Sequence, residues 1–157
     1  MTFPEVAPGL DGIVAAHEPR MNARPVEWWN QPWAPGKWRR REVLGHLIDS
    51  AANNHVRFTR AMIEPSVEAR GYDADACVRV QGYATAPLAL TIALFCSYNR
   101  MLSHVLARVP AARLATPCRI GSSGAVTLEH LAVDYVAHLE HHLRQIFKSL
   151  DAGRTAE

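Results

Sequence analysis

Two histidines four residues apart, His138 and His142, form the pattern in this chain that most directly suggests chemistry. On a helix, a separation of four residues stacks two side chains on one face, about one turn apart. Two imidazoles in that arrangement can bind one divalent transition ion together, as they do in H-E-x-x-H metal sites. The pair alone is a weak signal, because such a centre also needs a ligand from another part of the chain.

The third ligand has two candidates, His46 and His55, which lie in the same predicted helix. They are nine residues apart and therefore on opposite faces, so both cannot reach one ion. His55 falls within the apolar stripe of that helix, whereas His46 falls on a polar stripe with Asp49 and Asn53. Periodicity mildly favours His55 as the inward residue, but His46 suits the rim of a polar cavity, where an open metal position would lie. Spacing alone leaves both assignments open.

Proline and glycine divide the chain into four long segments in which apolar residues recur every three to four positions. This periodicity predicts four amphipathic helices, over about residues 10–21, 39–63, 87–109 and 127–150. Pro19 weakens the first, because an interior proline kinks or ends a helix. The connection 66–86 is predicted to hold one short helix, and residues 119–126 at most a small hairpin. These elements predict an all-α fold, a four-helix bundle with long connections, in one domain spanning residues 1–157.

The composition excludes several classes of function. The chain has 157 residues, of which 48% are hydrophobic and 20% charged, as is typical of a globular domain. Its net charge of +2 is too small to indicate nucleic acid as a partner, and no apolar run approaches the roughly 18 residues of a membrane span. Three widely spaced cysteines without a C-x-x-C motif, and a first segment unlike a signal peptide, predict a cytoplasmic protein with free thiols.

Several stretches of the sequence together resemble the DinB-like superfamily. Residues 36–38 (Gly-Lys-Trp) and 42–50 (Glu-Val-Leu-Gly-His-Leu-Ile-Asp-Ser) are similar to the signature of that family's second helix. Residues 71–75 (Gly-Tyr-Asp-Ala-Asp) resemble its connection, and residues 138–146 (His-Leu-Glu-His-His-Leu-Arg-Gln-Ile) resemble its last helix. The superfamily comprises four-helix metalloproteins and includes bacillithiol- and mycothiol-dependent transferases. The matches cover most of the chain and occur in the family's order.

The resemblance implies a bundle of the down-up-up-down type in which three histidines hold a divalent metal. Carried over residue by residue, these ligands are His46, His138 and His142. The resemblance therefore selects His46 over His55, against the mild preference of the periodicity.

The chain departs from the family pattern at two positions. Arg39 stands where many members have a Ser or Thr that caps the second helix, which predicts a different helix start. Leu139 stands where many members have an Asp after the first histidine of the last pair. That change predicts the loss of a contact that tunes the metal.

The predicted function is that of a metal-dependent enzyme acting on a small molecule, because open coordination separates catalytic from structural metal sites. The resemblance favours a thiol-dependent S-transferase first, with zinc or nickel and a low-molecular-weight thiol, and a hydrolase second. Asp49 and Asn53 are the candidates to orient a bound water or substrate. Arg57 and Arg100 could bind an anionic cofactor, although surface arginines are usually only solvated. The alternative is a metal-binding bundle without turnover, and a homodimer is expected in both cases.

Overall fold

The fold is mainly helical, with one small sheet. The computed structural model describes residues 1–148. The helices are α1 (Phe3–Asn22), α2 (Val26–Asn30), α3 (Arg40–Ile63), α4 (Ala74–Val80), α5 (Leu88–Leu106) and α6 (Leu128–Ile146). The strands are β1 (Val67–Ala69), β2 (Pro117–Ile120) and β3 (Val126–Thr127), and a short 3-10 helix spans Ala111–Arg113.

The four long helices α1, α3, α5 and α6 form a four-helix bundle, as the sequence predicts. Helix α1 packs against α5 and α6, and α3 packs against the same two helices. The first two long helices, α1 and α3, therefore occupy opposite corners, which requires the connection between them to cross the bundle. A contiguous cluster of buried apolar side chains fills the space between the helices. Within residues 1–148, none of the helices combines the length and apolar character needed to cross a membrane.

Three helix boundaries differ from their predicted positions, one of them the end of α5, at Leu106 rather than near residue 109. Helix α1 begins at Phe3 rather than near residue 10, because the Glu5 carboxylate accepts a hydrogen bond from the backbone N–H of Thr2 and caps the helix (2.6 Å). Pro19 lies inside α1 and does not end it, since the helix continues to Asn22. Helix α6 ends at Ile146, before the predicted residue 150. Residues 149–157 lie outside the described part of the chain.

The three short strands form one sheet in the order β1-β2-β3. Strands β2 and β3 pair antiparallel, which confirms the predicted hairpin. Strand β1 pairs parallel to β2, with Val67 opposite Cys118, and had not been predicted. A strand of three residues in a polar connection carries no usable periodicity. The pairing of β1 matters for the site, because it completes a sheet that lies against α3.

Helix α3 is covered on its polar face as well as on its apolar face. Helix α4 and the sheet pack against it, and the ring of Tyr83 lies directly over Gly45. A Cβ atom at Gly45 would come within 2.2 Å of that ring, so only glycine permits this approach. As a result His46 is 7% exposed, whereas His55 is half-buried beside Tyr98, with ring centroids 5.7 Å apart.

The start of α3 is tied to the end of α6 by a buried arginine, Arg40. Its Nε donates to the carbonyl of Ile146 (2.9 Å), and an Nη donates to the carbonyl of Lys148 (3.1 Å). Another Nη donates to the carbonyl of Pro32 (3.0 Å). These bonds satisfy backbone acceptors that the end of a helix otherwise leaves open. Arg40 therefore fixes the position of α6 relative to α3.

Candidate metal centre

Three imidazoles converge between α3 and α6: His46 from the former, His138 and His142 from the latter. One ring nitrogen of each lies within 4.8 Å of those of the other two. The Nε2 atoms of His46 and His138 are 3.3 Å apart. The ring of His142 lies 4.5 Å from that of His138 and 4.8 Å from that of His46, measured between centroids. The structure thus brings together the three histidines that the resemblance indicates.

Local packing explains why these rings meet. On α6 the spacing of four residues places His138 and His142 on one face, while Leu139 and Leu143 enter the bundle core. The His46 ring is held from outside by Trp38, with ring centroids 5.3 Å apart. The His46 ring therefore lies between the bundle core and Trp38, and it faces the two histidines of α6.

All three imidazoles are neutral at physiological pH. Burial, together with the smaller effect of the neighbouring rings of His142 and His138, lowers the pKa of His46 to about 4. Burial also lowers the pKa of His138 to about 4. The pKa of His142 is lowered mainly by burial, against the opposing effect of its hydrogen bond with Gln145. Neutral imidazole is the form that binds a metal, because the proton otherwise occupies the ligand lone pair.

The donor set fits a divalent first-row transition metal. Imidazole nitrogens suit zinc, nickel, copper and iron rather than magnesium or calcium, which prefer oxygen. A tetrahedral ion with metal–nitrogen bonds of about 2.0–2.1 Å places its ligand atoms about 3.3 Å apart. The separation of the two Nε2 atoms of His46 and His138, 3.3 Å, equals that spacing. Three protein ligands leave at least one position open for a reactant.

Gln145 orients one of the three rings. The Nδ1–H of His142 donates to Oε1 of Gln145 (2.7 Å), and the Gln145 amide donates to Nε2 of His141 (2.9 Å). The amide direction is fixed because only its oxygen can accept from His142. This pairing leaves the Nε2 lone pair of His142 free for the cluster.

Replacing Gln145 by leucine is expected to weaken metal binding about 10–100-fold, because His142 loses the acceptor that fixes its tautomer and ring orientation. Competition against a chromophoric zinc chelator measures the change. His141→Ala is the matched control, since it removes the other partner of Gln145 and leaves the bond to His142 intact. Equal zinc affinities for wild type and Gln145→Leu would contradict the role given to Gln145.

Acidification is expected to destabilise the metal-free protein between about pH 6.5 and 4. The unfolded histidines bind protons below their ordinary pKa of about 6.5, whereas His46 and His138 stay neutral in the fold until about pH 4. The unfolded state therefore gains protons first, and the free energy of unfolding falls by up to about 1.4 kcal/mol per pH unit for each such histidine.

Urea unfolding at pH 7.5, 6.0 and 5.0 measures this dependence. The His46→Gln variant is the matched control and should show a shallower slope, because one of the titrating groups is gone. A wild-type slope no steeper than that of His46→Gln would show that the rings are not held neutral by burial.

A cavity of about 250 Å³ adjoins the histidine cluster, and His138 forms part of its wall. Its other lining residues are Ser50, Asn54, Arg57, Tyr72, Ile120, Leu131, Asp134 and Tyr135. The walls are mixed, with apolar side chains beside hydroxyl, amide and guanidinium groups. A small molecule in this cavity would lie next to His138.

Asp49 and Asn53 do not line this cavity. The Asp49 carboxylate accepts hydrogen bonds from the Tyr83 hydroxyl (2.8 Å) and from the Gln81 amide through one oxygen, while its buried second oxygen has no hydrogen-bond partner among the described residues. The Asn53 amide donates to the backbone carbonyl of Asp49, one turn earlier (2.9 Å). Their predicted roles in orienting water or substrate stay predictions.

The other residues considered from the sequence lie apart from the cluster or take structural positions. His55 contacts Tyr98 on another face of α3, so the periodicity argument for an inward His55 is wrong. Leu139 is fully buried in the core. Arg39 is the N-cap residue of α3, and its backbone N–H donates to the Glu42 carboxylate (2.8 Å). Arg100 is exposed and pairs with a surface glutamate.

Of the residues that line the cavity, Arg57 is a candidate from the sequence for binding an anionic cofactor, whereas Ser50, Asn54 and Tyr135 were not predicted, although the sequence holds a signal for them. Ser50, Asn54 and Arg57 follow His46 at intervals of four, eight and eleven, and therefore continue its stripe on α3. Tyr135 precedes His138 by three on α6. A polar stripe that begins at a candidate ligand is the signal that could have found these residues.

The fold and the cluster together define a class of protein, the four-helix bundles in which histidines from two helices converge beside a cavity. The model of the DinB superfamily matches residues 14–146. The chain belongs to the DinB superfamily, which confirms the resemblance seen in the sequence.

Individual relatives carry names that refer to metal-dependent chemistry. A Bacillus subtilis (strain 168) protein named "Putative metal-dependent hydrolase YfiT" is 27% identical over 116 residues, which cover 73% of this chain and 65% of the relative. A Bacillus pumilus (strain SAFR-032) protein named "Putative metal-dependent hydrolase" is 28% identical over 116 residues, which cover 73% and 66%. The matched segment thus spans just under two thirds of the length of these curated relatives.

A solved structure supports the fold independently. YfiT from Bacillus subtilis, described as a probable metal-dependent hydrolase with an unusual four-helix bundle topology, matches with a TM-score of 0.82. The match covers 92% of this chain and 83% of that protein at 22% identity. At this identity the likeness establishes the shared bundle.

Proposed function

We propose that this chain is a metal-dependent enzyme that holds one divalent transition metal, zinc or nickel, between His46, His138 and His142. The observation that carries the proposal is the convergence of three neutral imidazoles, one of which lines a cavity large enough for a small molecule. The names of the relatives, which describe metal-dependent hydrolases, support the same class of chemistry.

The three histidines and the adjoining cavity have different roles in the proposed reaction. The three imidazoles hold the ion and leave at least one coordination position open, and a metal in such a site lowers the pKa of a water or thiol that it binds. The cavity beside His138 receives the second reactant next to the ion. Proximity of the two reactants then supplies part of the rate enhancement.

Two reactions fit this arrangement, hydrolysis and S-transfer from a thiol, and one structural feature favours S-transfer. A carboxylate base assists the attacking water in many metal-dependent hydrolases, and the described residues offer few carboxylates for that role. Asp49 is engaged by Tyr83 and Gln81, and Asp134, the carboxylate that lines the cavity, is exposed. A thiol, with a pKa near 8.5, ionises without such a base more readily than water does. The names of the relatives favour hydrolysis instead.

The zinc- or nickel-loaded protein tests these proposals in a panel of activated esters and of aryl halide electrophiles, each with and without a low-molecular-weight thiol. Turnover that requires the thiol would support S-transfer, and turnover of esters without it would support hydrolysis. Either activity should disappear on chelation and in His138→Ala. Metal binding without turnover across the panel would overturn the enzymatic proposal in favour of a binding protein.

The expected homodimer and the cytoplasmic location stay predictions. Sedimentation equilibrium of the metal-loaded protein measures the first directly.

A further inference from the structure

The cavity beside the histidine cluster contains a buried positive charge. Arg57 of α3 lines the cavity and is 8% exposed. Its guanidinium donates to the Asn54 side-chain oxygen (3.3 Å) and to the backbone carbonyl of Arg70 (3.3 Å). Both acceptors are neutral and both bonds are long, so most of the donor capacity of the guanidinium is unused.

Among residues 1–148, the ion pairs do not include Arg57. A buried arginine without a counterion is unusual, because taking a cation out of water is costly unless an anion or strong hydrogen bonds compensate. The contrast with Arg60, one turn later on α3, is direct. Arg60 is half-buried and pairs with Glu64 through two hydrogen bonds (2.7 and 2.8 Å). Among the described residues, Arg57 therefore has no anionic partner, although it lines a cavity that could admit one.

The surroundings of Arg57 suit a carboxylate. Ser50 and Tyr72 line the same cavity and carry hydroxyl groups that can donate to carboxylate oxygens, whereas the Asn54 amide already donates to the backbone carbonyl of Ser50 (3.0 Å). Burial raises the pKa of Tyr72, so its hydroxyl keeps its proton. Asp134 is the carboxylate that lines the cavity, and its exposed position lets water screen its charge.

We propose that the cavity binds a small carboxylate, held by Arg57 at one end while the rest of the molecule extends to His138. The inference rests on the proposed function, because it specifies that one reactant of the histidine centre is a short molecule with a carboxylate group. The cavity of about 250 Å³ limits the size of that chain. The carboxylate belongs either to the substrate or to the thiol that reacts with it.

Titration of metal-free protein with butanoate and with butanamide tests the proposal, because these probes have similar shape and differ in charge. We expect butanoate to bind at least about tenfold more tightly and to shift the side-chain Nε–H resonance of Arg57 in wild-type protein. Butanoate binding should be lost in Arg57→Met, partly retained in Arg57→Lys, and unchanged in the matched control Arg60→Met. Equal responses to the two probes, or no butanoate binding up to about 50 mM, would overturn the proposal.

Two further arms identify the source of the carboxylate, and both use zinc-loaded protein. If the thiol carries it, 3-sulfanylpropanoate should bind at least about tenfold more tightly than butanoate or 3-sulfanylpropanamide. If the substrate carries it, butanoate should bind equally well with 2-sulfanylethanol present. Failure of zinc to bind would contradict the metal-dependent function but would not affect carboxylate binding by the metal-free protein. The two failures are therefore distinguishable.

Discussion

Replacing both His138 and His142 by alanine is expected to reduce bound metal from about one ion per chain to less than about a tenth of that. The reason is that the two α6 imidazoles supply two of three ligands, and a single remaining imidazole, His46, cannot compete with water and buffer for the ion. Elemental analysis of protein purified in the presence of zinc measures the loss. Any catalytic turnover should fall to background with it.

The helical content is expected to survive this double change, because both rings lie beside the core rather than in it. Far-ultraviolet circular dichroism provides that check. His55→Ala with His130→Ala is the matched control, since it removes two histidines that lie outside the cluster. Full metal content after loss of His138 and His142, or loss of metal in the control, would contradict the assignment of the centre.

Replacing Arg40 by methionine is expected to lower the free energy of unfolding by about 3 kcal/mol. The guanidinium is 1% exposed and donates to backbone carbonyls at the end of α6 and in the connection before α3. Methionine fills part of the volume but leaves those buried acceptors unsatisfied, and each such group costs about 1–3 kcal/mol. Urea unfolding of the metal-free protein at pH 7.5 measures the effect.

The neighbouring Arg39 provides the control, because its side chain is exposed and its backbone N–H makes the helix-capping bond. Arg39→Met should therefore change the free energy of unfolding by less than about 0.5 kcal/mol. Arg40→Met should also weaken metal binding, since the ligands on α3 and α6 lose part of their mutual alignment. A stability change no larger than that of Arg39→Met would contradict the anchoring role.

The bundle was predictable because its helices carry strong periodicity. The long proline-free stretch that contains His46 predicts α3 almost to the residue, whereas α5 ends at Leu106, before the Pro110 that was expected to close it. The start of α1 at Phe3 was missed because a capping contact between Thr2 and Glu5, not apolar spacing, sets it.

The pair of candidate ligands on α6 was predictable from spacing alone, but the third candidate was not. A helical wheel assumes that the apolar stripe faces inward, and this assumption selects His55. In the fold, the connection with Tyr83 and the small sheet covers the polar stripe instead, and so buries His46. Whether His46 or His55 faces the α6 pair therefore depends on the long-range packing of a segment without periodicity. Only the family resemblance indicated His46.

The burial of Arg57 in the cavity could not be predicted from the sequence for a related reason. Arg57 is identical in type to Arg100, yet one is buried beside the cluster and the other is exposed in an ion pair. Their difference arises from the sheet, whose strand β1 is too short to predict and which lies against α3. The residue type is therefore the same in both cases, and tertiary packing determines that Arg57, rather than Arg100, is buried without an ion-pair partner.

X-ray absorption spectroscopy at the zinc edge of the loaded protein tests the central claim most directly. We expect three imidazole nitrogens at about 2.0–2.1 Å and one or two lighter oxygen ligands, which exchange for sulfur when a thiol is added. The His46→Ala variant should show a reduced number of imidazole ligands, and His55→Ala should match wild type. A spectrum with fewer than three imidazoles in wild type, or one changed by His55→Ala and not by His46→Ala, would contradict the account.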